Sequence, residues 1–295
     1  MAKLYNHFMP LRAWVLLLGG NALSGSSYVT TTCVLRGFTP SAAVFWRLFL
    51  GALLFAPGLR RRWPAQPIAC GDWLRIVVAG LFGLTLPLML GTIGLKLSTA
   101  TNASLLLGLE PVSIFVFSAL FLGEAMTAVK MGAIFCGFFG SSLIVLQGLP
   151  WQAQLTTHWR GDLLLFLHAI CWSLYSLLGK SVLRRVPPAI FSGLTTAIAV
   201  VPMAVVAGAS IWPVSAPPPA ALAGLAFQAL GITFGATLLW NKGLEIVPAS
   251  TMAQFIFLQP LIGVALGVLF QHDPLTSWSA VGGSLILIGV ILTAR

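Results

Sequence analysis

The sequence is short of charged residues, and above all of acidic ones. Only 7% of its 295 residues are charged, whereas a soluble domain carries roughly 25%. Six acidic residues stand against sixteen lysines and arginines, and 58% of the chain is hydrophobic. So apolar a chain cannot cover a surface that faces water. Composition therefore excludes a soluble protein and indicates a multi-pass protein embedded in a lipid bilayer.

Residues that bind metals or carry out catalysis are also scarce. The four cysteines and four histidines are scattered, and none lie at metal-ligand spacing, so we expect no metal and no cofactor. Only Glu110 among the acidic residues lies deep in an apolar run, whereas an enzyme needs several catalytic groups at one depth. A Walker-type phosphate loop is missing too. We therefore predict neither an enzyme nor a protein driven directly by ATP.

Ten apolar runs are long enough to cross a membrane, since a transmembrane helix needs about 20 apolar residues. The runs lie at 12–32, 41–58, 73–94, 99–122, 127–147, 161–181, 189–211, 218–241, 250–270 and 276–294. We therefore predict an all-α integral membrane protein with ten transmembrane helices.

The basic residues are shared unevenly between the loops on the two sides. With a cytoplasmic N-terminus, twelve of the sixteen face the cytoplasm and only Arg36, Lys96 and Arg160 face outwards, while Arg47 lies within a run. Positive residues concentrate on the cytoplasmic side of membranes. The bias predicts a bacterial-type plasma (inner) membrane protein with both termini in the cytoplasm. It also explains the net charge of +10 without nucleic acid as a partner.

The chain contains an internal repeat of about 150 residues. At an offset of 149, Gly94-Leu95, Ala100, Glu110-Pro111, Glu124, Thr127 and Gly140 match Gly243-Leu244, Ala249, Gln259-Pro260, Asp273, Thr276 and Gly289. A second pattern upstream recurs at an offset of 147. The repeat predicts two related halves, 1–149 and 150–295, with five helices each. Because five is odd, the second half enters the membrane from the opposite side, which predicts an inverted repeat of the transporter type.

Two ionisable residues within the apolar runs are candidates for function, because a charge inside a bilayer is costly. Arg47 lies in the second run and Glu110 in the fourth, at similar depths. Each is a candidate for binding a substrate or for taking part in proton transfer. A structural pair between them is the alternative, as is Arg47 extending towards the interface. Glu124 and Asp273 follow apolar runs, and we expect each to cap the helix that comes next.

Two matched sets of polar and aromatic residues lie on the first and sixth runs. They are Asn21, Ser24 and Tyr28 in the first run and His168, Trp172 and Tyr175 in the sixth. Within each set, the spacing of three or four residues places the side chains on one helix face. Because the sets are counterparts at an offset of 147, they predict a substrate-binding cavity near the pseudo-symmetry axis. Ordinary helix packing is the alternative. Further residues of the predicted wall are Thr85, Asn102, Trp240 and Gln254.

Prolines and glycines mark where the helices bend and touch. A proline within a helix removes one backbone hydrogen bond and bends the helix. Each such bend can act as a hinge that moves during transport or as a fixed, packed kink. The four prolines within the runs are Pro87, Pro111, Pro202 and Pro260. Small residues allow membrane helices to approach closely. Glycines in the fifth and tenth runs predict that these two helices form contacts between the halves or between protomers. They are Gly132, Gly137, Gly140, Gly282, Gly283 and Gly289. Monomer and homodimer both remain open.

Taken together, these residues resemble the EamA family of the drug/metabolite transporter superfamily. The residues that carry the resemblance are Phe45-Trp46-Arg47, Ala100, Glu110-Pro111, Leu122-Gly123-Glu124, Gly132 and Gly140, with Ala249, Gln259-Pro260, Asp273 and Gly289 in the second half. The resemblance covers essentially the whole chain. It implies a secondary transporter that exports small metabolites, and we suspect the branch of aromatic amino acid exporters (YddG type).

We therefore predict export of amino acids, aromatic or large neutral, by alternating access. An apolar, aromatic cavity favours substrates with apolar side chains, and Arg47 or freed backbone groups would hold a carboxylate. The alternative is a facilitator or a flippase for another metabolite or a lipid-linked substrate. Proton-coupled and facilitated transport are both compatible with the sequence, and His168 is a candidate for carrying a proton because it titrates near neutrality.

Overall fold

The computed structural model describes residues 9–61, 63–98, 100–147, 158–213, 215–266, 268–269 and 275–293. Every long regular element in these ranges is helical. In chain order the α-helices are α1 Leu11–Gly25, α2 Ser27–Val34, α3 Pro40–Arg61, α4 Cys70–Val78, α5 Leu86–Leu97, α6 Ala100–Leu107, α7 Leu109–Leu122, α8 Ala128–Leu146, α9 Trp159–Val182, α10 Pro188–Ala207, α11 Pro219–Phe227, α12 Thr237–Ile246, α13 Ala249–Ile256, α14 Leu258–Leu266 and α15 Ser277–Thr293.

Within the described residues, eight helical stretches are long and apolar enough to cross a membrane. They are Pro40–Arg61, Cys70–Leu97, Asn102–Leu122, Ala128–Leu146, Trp159–Val182, Pro188–Ile211, Pro219–Ile246 and Ala249–Leu266. A shorter apolar helix, α15, follows them. The first predicted run is not a single helix, since α1 and α2 are separated at Ser26. The prediction of an all-α, multi-pass membrane protein is confirmed.

Two spans contain a π-helix at their centre. The segment Ala79–Thr85 joins α4 to α5, and Gln228–Ala236 joins α11 to α12. The two segments begin 149 residues apart, which is the offset of the sequence repeat. Both are glycine-containing, and a Cβ placed on Gly83 would lie 2.8 Å from Cα of Tyr175. The backbone of the first π-helix therefore packs directly on α9.

Two further spans are broken near their middle, again at equivalent places. Gly108 separates α6 from α7, and Phe257 separates α13 from α14; these positions are also 149 residues apart. Each break lies three residues before a proline, Pro111 or Pro260. A proline cannot donate to the carbonyl four residues earlier, so the chain has no complete hydrogen-bond ladder there. Pro87 is the second residue of α5, and Pro202 lies inside the continuous α10.

Helices from the two sequence halves pack against each other throughout the bundle. The principal contacts pair α8 with α15, α3 with α10, α5 with α9, and α7 with α9. In the first of these a Cβ on Gly140 would lie 2.5 Å from the carbonyl oxygen of Gly282, so the two backbones touch. The bundle fully buries large side chains in its core, including Tyr175, Phe191 and Phe255.

The helix that Glu124 caps is not the one expected from the sequence. Glu124 accepts hydrogen bonds from the backbone N–H groups of Ala249 (2.8 Å) and Ser250 (2.9 Å), at the start of α13. The next helix in the chain, α8, is capped instead by the Thr127 hydroxyl. Tertiary packing brings the N-terminus of α13 beside Glu124, where its positive dipole end meets the carboxylate. Asp273, the counterpart of Glu124, lies outside the described residues.

Candidate functional site

An aromatic stack runs along one face of α9. The ring of Trp172 lies between His168 and Tyr175, with centroid distances of 6.2 Å and 5.8 Å. The i, i+4 and i+7 spacing aligns the three side chains because 3.6 residues make one helical turn. Since α9 packs against α5, α7 and the first π-helix, this face points into the bundle rather than towards lipid.

His168 is anchored at one end of the stack. Its Nδ1 lies 2.7 Å from the carbonyl oxygen of Pro87, so the N–H that fits this contact is on Nδ1. The ring approaches closely because Gly91 has no side chain, and a Cβ there would lie 2.7 Å from Nδ1. This hydrogen bond gives His168 a structural partner on the neighbouring helix.

The other end of the stack is held by a buried polar network. The Asn241 side-chain amide donates to the Tyr175 hydroxyl and to the Ser192 hydroxyl, each at 2.8 Å. Tyr175 is only 1% exposed, and the network ties α9 to α10 and α12. Sequence reasoning missed Asn241 and Ser192. An asparagine beside Trp240 in an apolar run was an available signal, but only the fold brings it to Tyr175.

In the first half, the counterpart of His168 makes a different contact. Asn21 is buried, donates to Leu17 O at 2.8 Å and accepts from Gln259 Nε2 at 3.0 Å. Gln259 is the repeat counterpart of Glu110 and lies just after the break between α13 and α14. Ser24 is half-buried on the same helix, and the side chain of Tyr28 lies outside the described residues.

Glu110 sits in the first turn of α7, directly after the break at Gly108. Its backbone carbonyl accepts from the Ser173 hydroxyl of α9 at 3.4 Å. Its carboxylate makes no hydrogen bond or ion pair with any residue that the structure describes. The Glu110 backbone therefore contacts α9 at Ser173, the residue that follows Trp172. Its carboxyl group has no partner among the described residues.

Arg47 does not pair with Glu110. Its Nε donates to the Thr233 hydroxyl of the second π-helix at 3.2 Å, so the structural pair suggested by sequence depth is not formed. The side chain borders a cavity of about 70 Å³ between α2, α3, α5 and the second π-helix. Small-molecule sites measure roughly 300–1,000 Å³, so this cavity is far smaller than a metabolite site.

Three further residues of the predicted cavity wall, Asn102, Thr85 and Gln254, have contacts of their own. Asn102 donates to both carboxylate oxygens of Asp162 at 3.1 Å, near the start of α9 and about 9 Å along its axis from His168. Thr85 donates to Gly80 O within its own π-helix. Gln254 is fully buried and its amide lies against Gly289 of α15. The structure thus brings together the three α9 residues and separates Asn102 and Gln254 from them, whereas Thr85 lies on the segment between Gly83, which packs on Tyr175, and Pro87, which contacts His168.

Buried polar atoms without a protein partner surround the Asn241 network. Among the described residues these include the Trp240 indole N–H and the hydroxyls of Ser176 and Thr196. An unsatisfied buried group costs about 1–3 kcal/mol, so polar molecules such as water are the natural partners of these groups. The described residues as a whole include no cluster of three histidine, cysteine, aspartate or glutamate side chains suited to a metal ion.

Comparisons with known proteins agree with these features. The EamA-like transporter family matches residues 11–146 and 159–295. An uncharacterized transporter, YyaM, of Bacillus subtilis is 26% identical over 95% of this chain and 93% of its own length. A WAT1-related protein of Arabidopsis thaliana is 24% identical over 91% of this chain and 82% of its own length. A crystal structure that covers 95% of both chains superimposes with a TM-score of 0.81 at 19% identity, which shows a shared fold.

Proposed function

The chain belongs to the EamA-like transporter family, is a membrane transporter and not an enzyme, and we propose that it exports aromatic or large neutral amino acids by alternating access. The stack of His168, Trp172 and Tyr175 carries the proposal. A flat aromatic surface inside the bundle offers dispersion contact to an apolar or aromatic substrate side chain, and it gives little to a small or highly charged metabolite.

The breaks in the middle of the spans support the same substrate class. Helix α7 starts at mid-span with Glu110 in its first turn, while α14 starts at the equivalent place with uncharged Gln259. An unpaired carboxylate attracts a substrate ammonium. A half-helix N-terminus without its own carboxylate attracts a substrate carboxylate. The zwitterionic part of an amino acid thus fits the asymmetry between the two breaks.

Alternating access further requires two halves that can exchange conformations, and we propose ten spans arranged as inverted repeats, 1–149 and 150–295. Three observations support this arrangement: the family matches the chain twice, the π-helices begin 149 residues apart, and the breaks at Gly108 and Phe257 share that offset. The bias of basic residues supports cytoplasmic termini in a bacterial-type plasma membrane. Single cysteines introduced into the loops and labelled from one side would test this topology.

The proposal is tested by efflux from proteoliposomes loaded with a panel of labelled amino acids. Wild-type protein is expected to release aromatic and large neutral amino acids faster than alanine or aspartate. Trp172→Ala should abolish this preference because it removes the middle of the stack. Trp159→Ala is the matched control on the same helix, since Trp159 is exposed at its end. If no amino acid leaves the vesicles, the substrate class is wrong, and other metabolites become the next candidates.

A further inference from the structure

A second cavity, of about 310 Å³, lies at the end of the bundle that the charge bias predicts to be cytoplasmic. It is formed by the start of the span that contains α4, the end of α7, the end of α9 and the turn after α9. Its lining includes Arg75, Lys180, Arg184, Arg185, Glu124 and Phe121. Its size is at the lower end of the range for small-molecule sites, roughly 300–1,000 Å³.

The lining carries more positive than negative charge. Four cations border the cavity, whereas the acidic groups are Glu124 in the lining and Asp72 behind it, which leaves an excess of two positive charges. Glu124 is already engaged by the N-terminus of α13. The hydrogen bonds to Asp72 raise the pKa of Arg185, so that guanidinium stays charged at any physiological pH.

Three of the cations are held in place by other groups, and one of them is Arg75, whose Nη1 donates to Asp72 Oδ1 at 2.9 Å. Lys180 donates to the carbonyl oxygens of Leu244 (2.6 Å) and Val247 (2.8 Å), at the end of α12. Arg185 donates to both carboxylate oxygens of Asp72, at 2.6 and 2.7 Å. These contacts fix the walls of the cavity. They satisfy backbone carbonyls and one carboxylate without neutralising the whole cluster.

Arg184 differs from its neighbours because it has no partner among the residues that the structure describes. It is exposed, and it makes no hydrogen bond or ion pair within the ranges that the structure describes. Its guanidinium therefore retains its full set of donors. A planar fork of this kind matches the geometry of phosphate oxygens.

One side of the cavity opens towards the lipid-facing surface. Phe121 of α7 lines the cavity and is 73% exposed, and the adjacent Leu120 is 69% exposed. Exposed large apolar side chains on a membrane helix face acyl chains. A ligand in this cavity can thus place an anionic group among the arginines while an attached apolar chain follows α7.

We propose that this cavity binds a phosphate-bearing anion, and specifically the headgroup of an anionic phospholipid. Basic cavities between helices at the cytoplasmic end of a membrane protein attract such headgroups. The excess positive charge accounts for the phosphate, and the border with Phe121 accounts for a ligand that is also a lipid. The site is separate from the aromatic stack of α9, so it does not depend on the transported substrate.

The test measures binding to the purified full chain in detergent, with thermal unfolding as the readout. Phosphatidylglycerol, phosphatidylcholine and inorganic phosphate are added in separate titrations. We expect phosphatidylglycerol to raise the unfolding temperature at far lower concentration than phosphatidylcholine, and the difference should shrink at high salt because the attraction is ionic. Equal responses to the two lipids would overturn the proposal.

Variants assign the effect to the cavity. Arg184→Gln should weaken phosphatidylglycerol binding by about tenfold, because it removes charged hydrogen bonds, and Arg184→Lys should restore part of it. The matched control is Arg160→Gln, an exposed arginine at the other end of α9. An unchanged affinity in Arg184→Gln would refute the site.

The inorganic phosphate titration distinguishes the two sources of the anion. A response as strong as that to phosphatidylglycerol, lost in Arg184→Gln, would assign the cavity to free phosphate and reject the lipid. A weak response that nevertheless competes with phosphatidylglycerol is expected if the lipid is the ligand. Because the variants retain the aromatic stack, loss of lipid binding and loss of amino acid selectivity can be told apart.

Discussion

The first and the sixth apolar runs are repeat counterparts, yet they fold differently. The first is divided at Ser26 into α1 and α2, whereas the sixth forms the single helix α9. In α1 the Ser26 hydroxyl donates to Leu23 O, three residues back, and in α9 the equivalent Ser173 hydroxyl donates to Ala169 O, four residues back. Contacts of both kinds occur within continuous helices, so the hydroxyl bonds do not by themselves account for the interruption.

The neighbours of these serines explain the difference. Gly25 precedes Ser26 and Ser27 follows it, and glycine and serine side by side are a common cause of helix kinks. The equivalent of Gly25 is Trp172, whose large side chain packs into the stack. One half of the repeat therefore contributes a rigid aromatic surface, and the other contributes an interruption in the helix. Matching positions of the repeat thus form different local structures in the two halves.

The largest effect on this comparison is expected from the glycine beneath α9. Gly83→Val places new atoms within about 3 Å of the Tyr175 backbone, and overpacking of this kind costs about 2 kcal/mol or more. Gly20, which packs under α12, faces a side chain at an ordinary 3.4 Å, so Gly20→Ala should be milder than Gly83→Ala. Thermal unfolding in detergent measures both; equal losses would contradict the direct backbone contact at α9.

A smaller loss is expected when the network at the end of the stack is removed. Asn241→Ala leaves the hydroxyls of Tyr175 and Ser192 without their donor, which should destabilise the protein by about 1–2 kcal/mol. Asn21→Ala is the matched change in the other half, and it should cost less because it breaks one bond between helices, from Gln259 Nε2, while Asn21 Nδ2 bonds within its own helix. The comparison fails if Asn21→Ala is the more damaging change in thermal unfolding.

Replacing the carboxylate at the first break should change coupling more than stability. Glu110→Gln copies the residue found at the second break, so we expect unfolding to shift by no more than about 0.5 kcal/mol. Efflux driven by an imposed pH gradient should lose its dependence on that gradient if Glu110 exchanges a proton. Gln259→Glu, the reverse change, is the control. A pH response that survives in Glu110→Gln would exclude this coupling role.

The smallest effect is expected from the serine at the helix interruption. Ser26→Ala removes the hydroxyl that donates to Leu23 O, and stability should change by about 0.5 kcal/mol or less. Efflux should slow modestly if the interruption moves during transport. Ser173→Ala in the continuous α9 is the control for losing a serine. A similar slowing in both variants would show that the interruption has no special part in transport.

Much of the fold was accessible from the sequence, because long apolar runs, prolines and a repeat are local or periodic signals. The helical class, the α9 face with His168, Trp172 and Tyr175, and glycine contacts between α8 and α15 all follow from spacing along the chain. Spacing could not identify partners between helices. Glu124 caps α13 rather than α8, and Arg47 bonds Thr233 rather than Glu110, because depth in a span does not say which helices are neighbours.

The sequence by itself determined that this protein spans a membrane as apolar helices. The bilayer requires about 20 apolar residues per helical crossing, and backbone groups that are hydrogen-bonded within the helix. The sequence also determined where the repeat carries a carboxylate, a proline or an aromatic. Tertiary structure alone decided which polar atoms meet. Asn241 bonds to Tyr175, and Arg184 borders the same cavity as Phe121 without a partner among the described residues. Such arrangements depend on packing between segments distant in the chain.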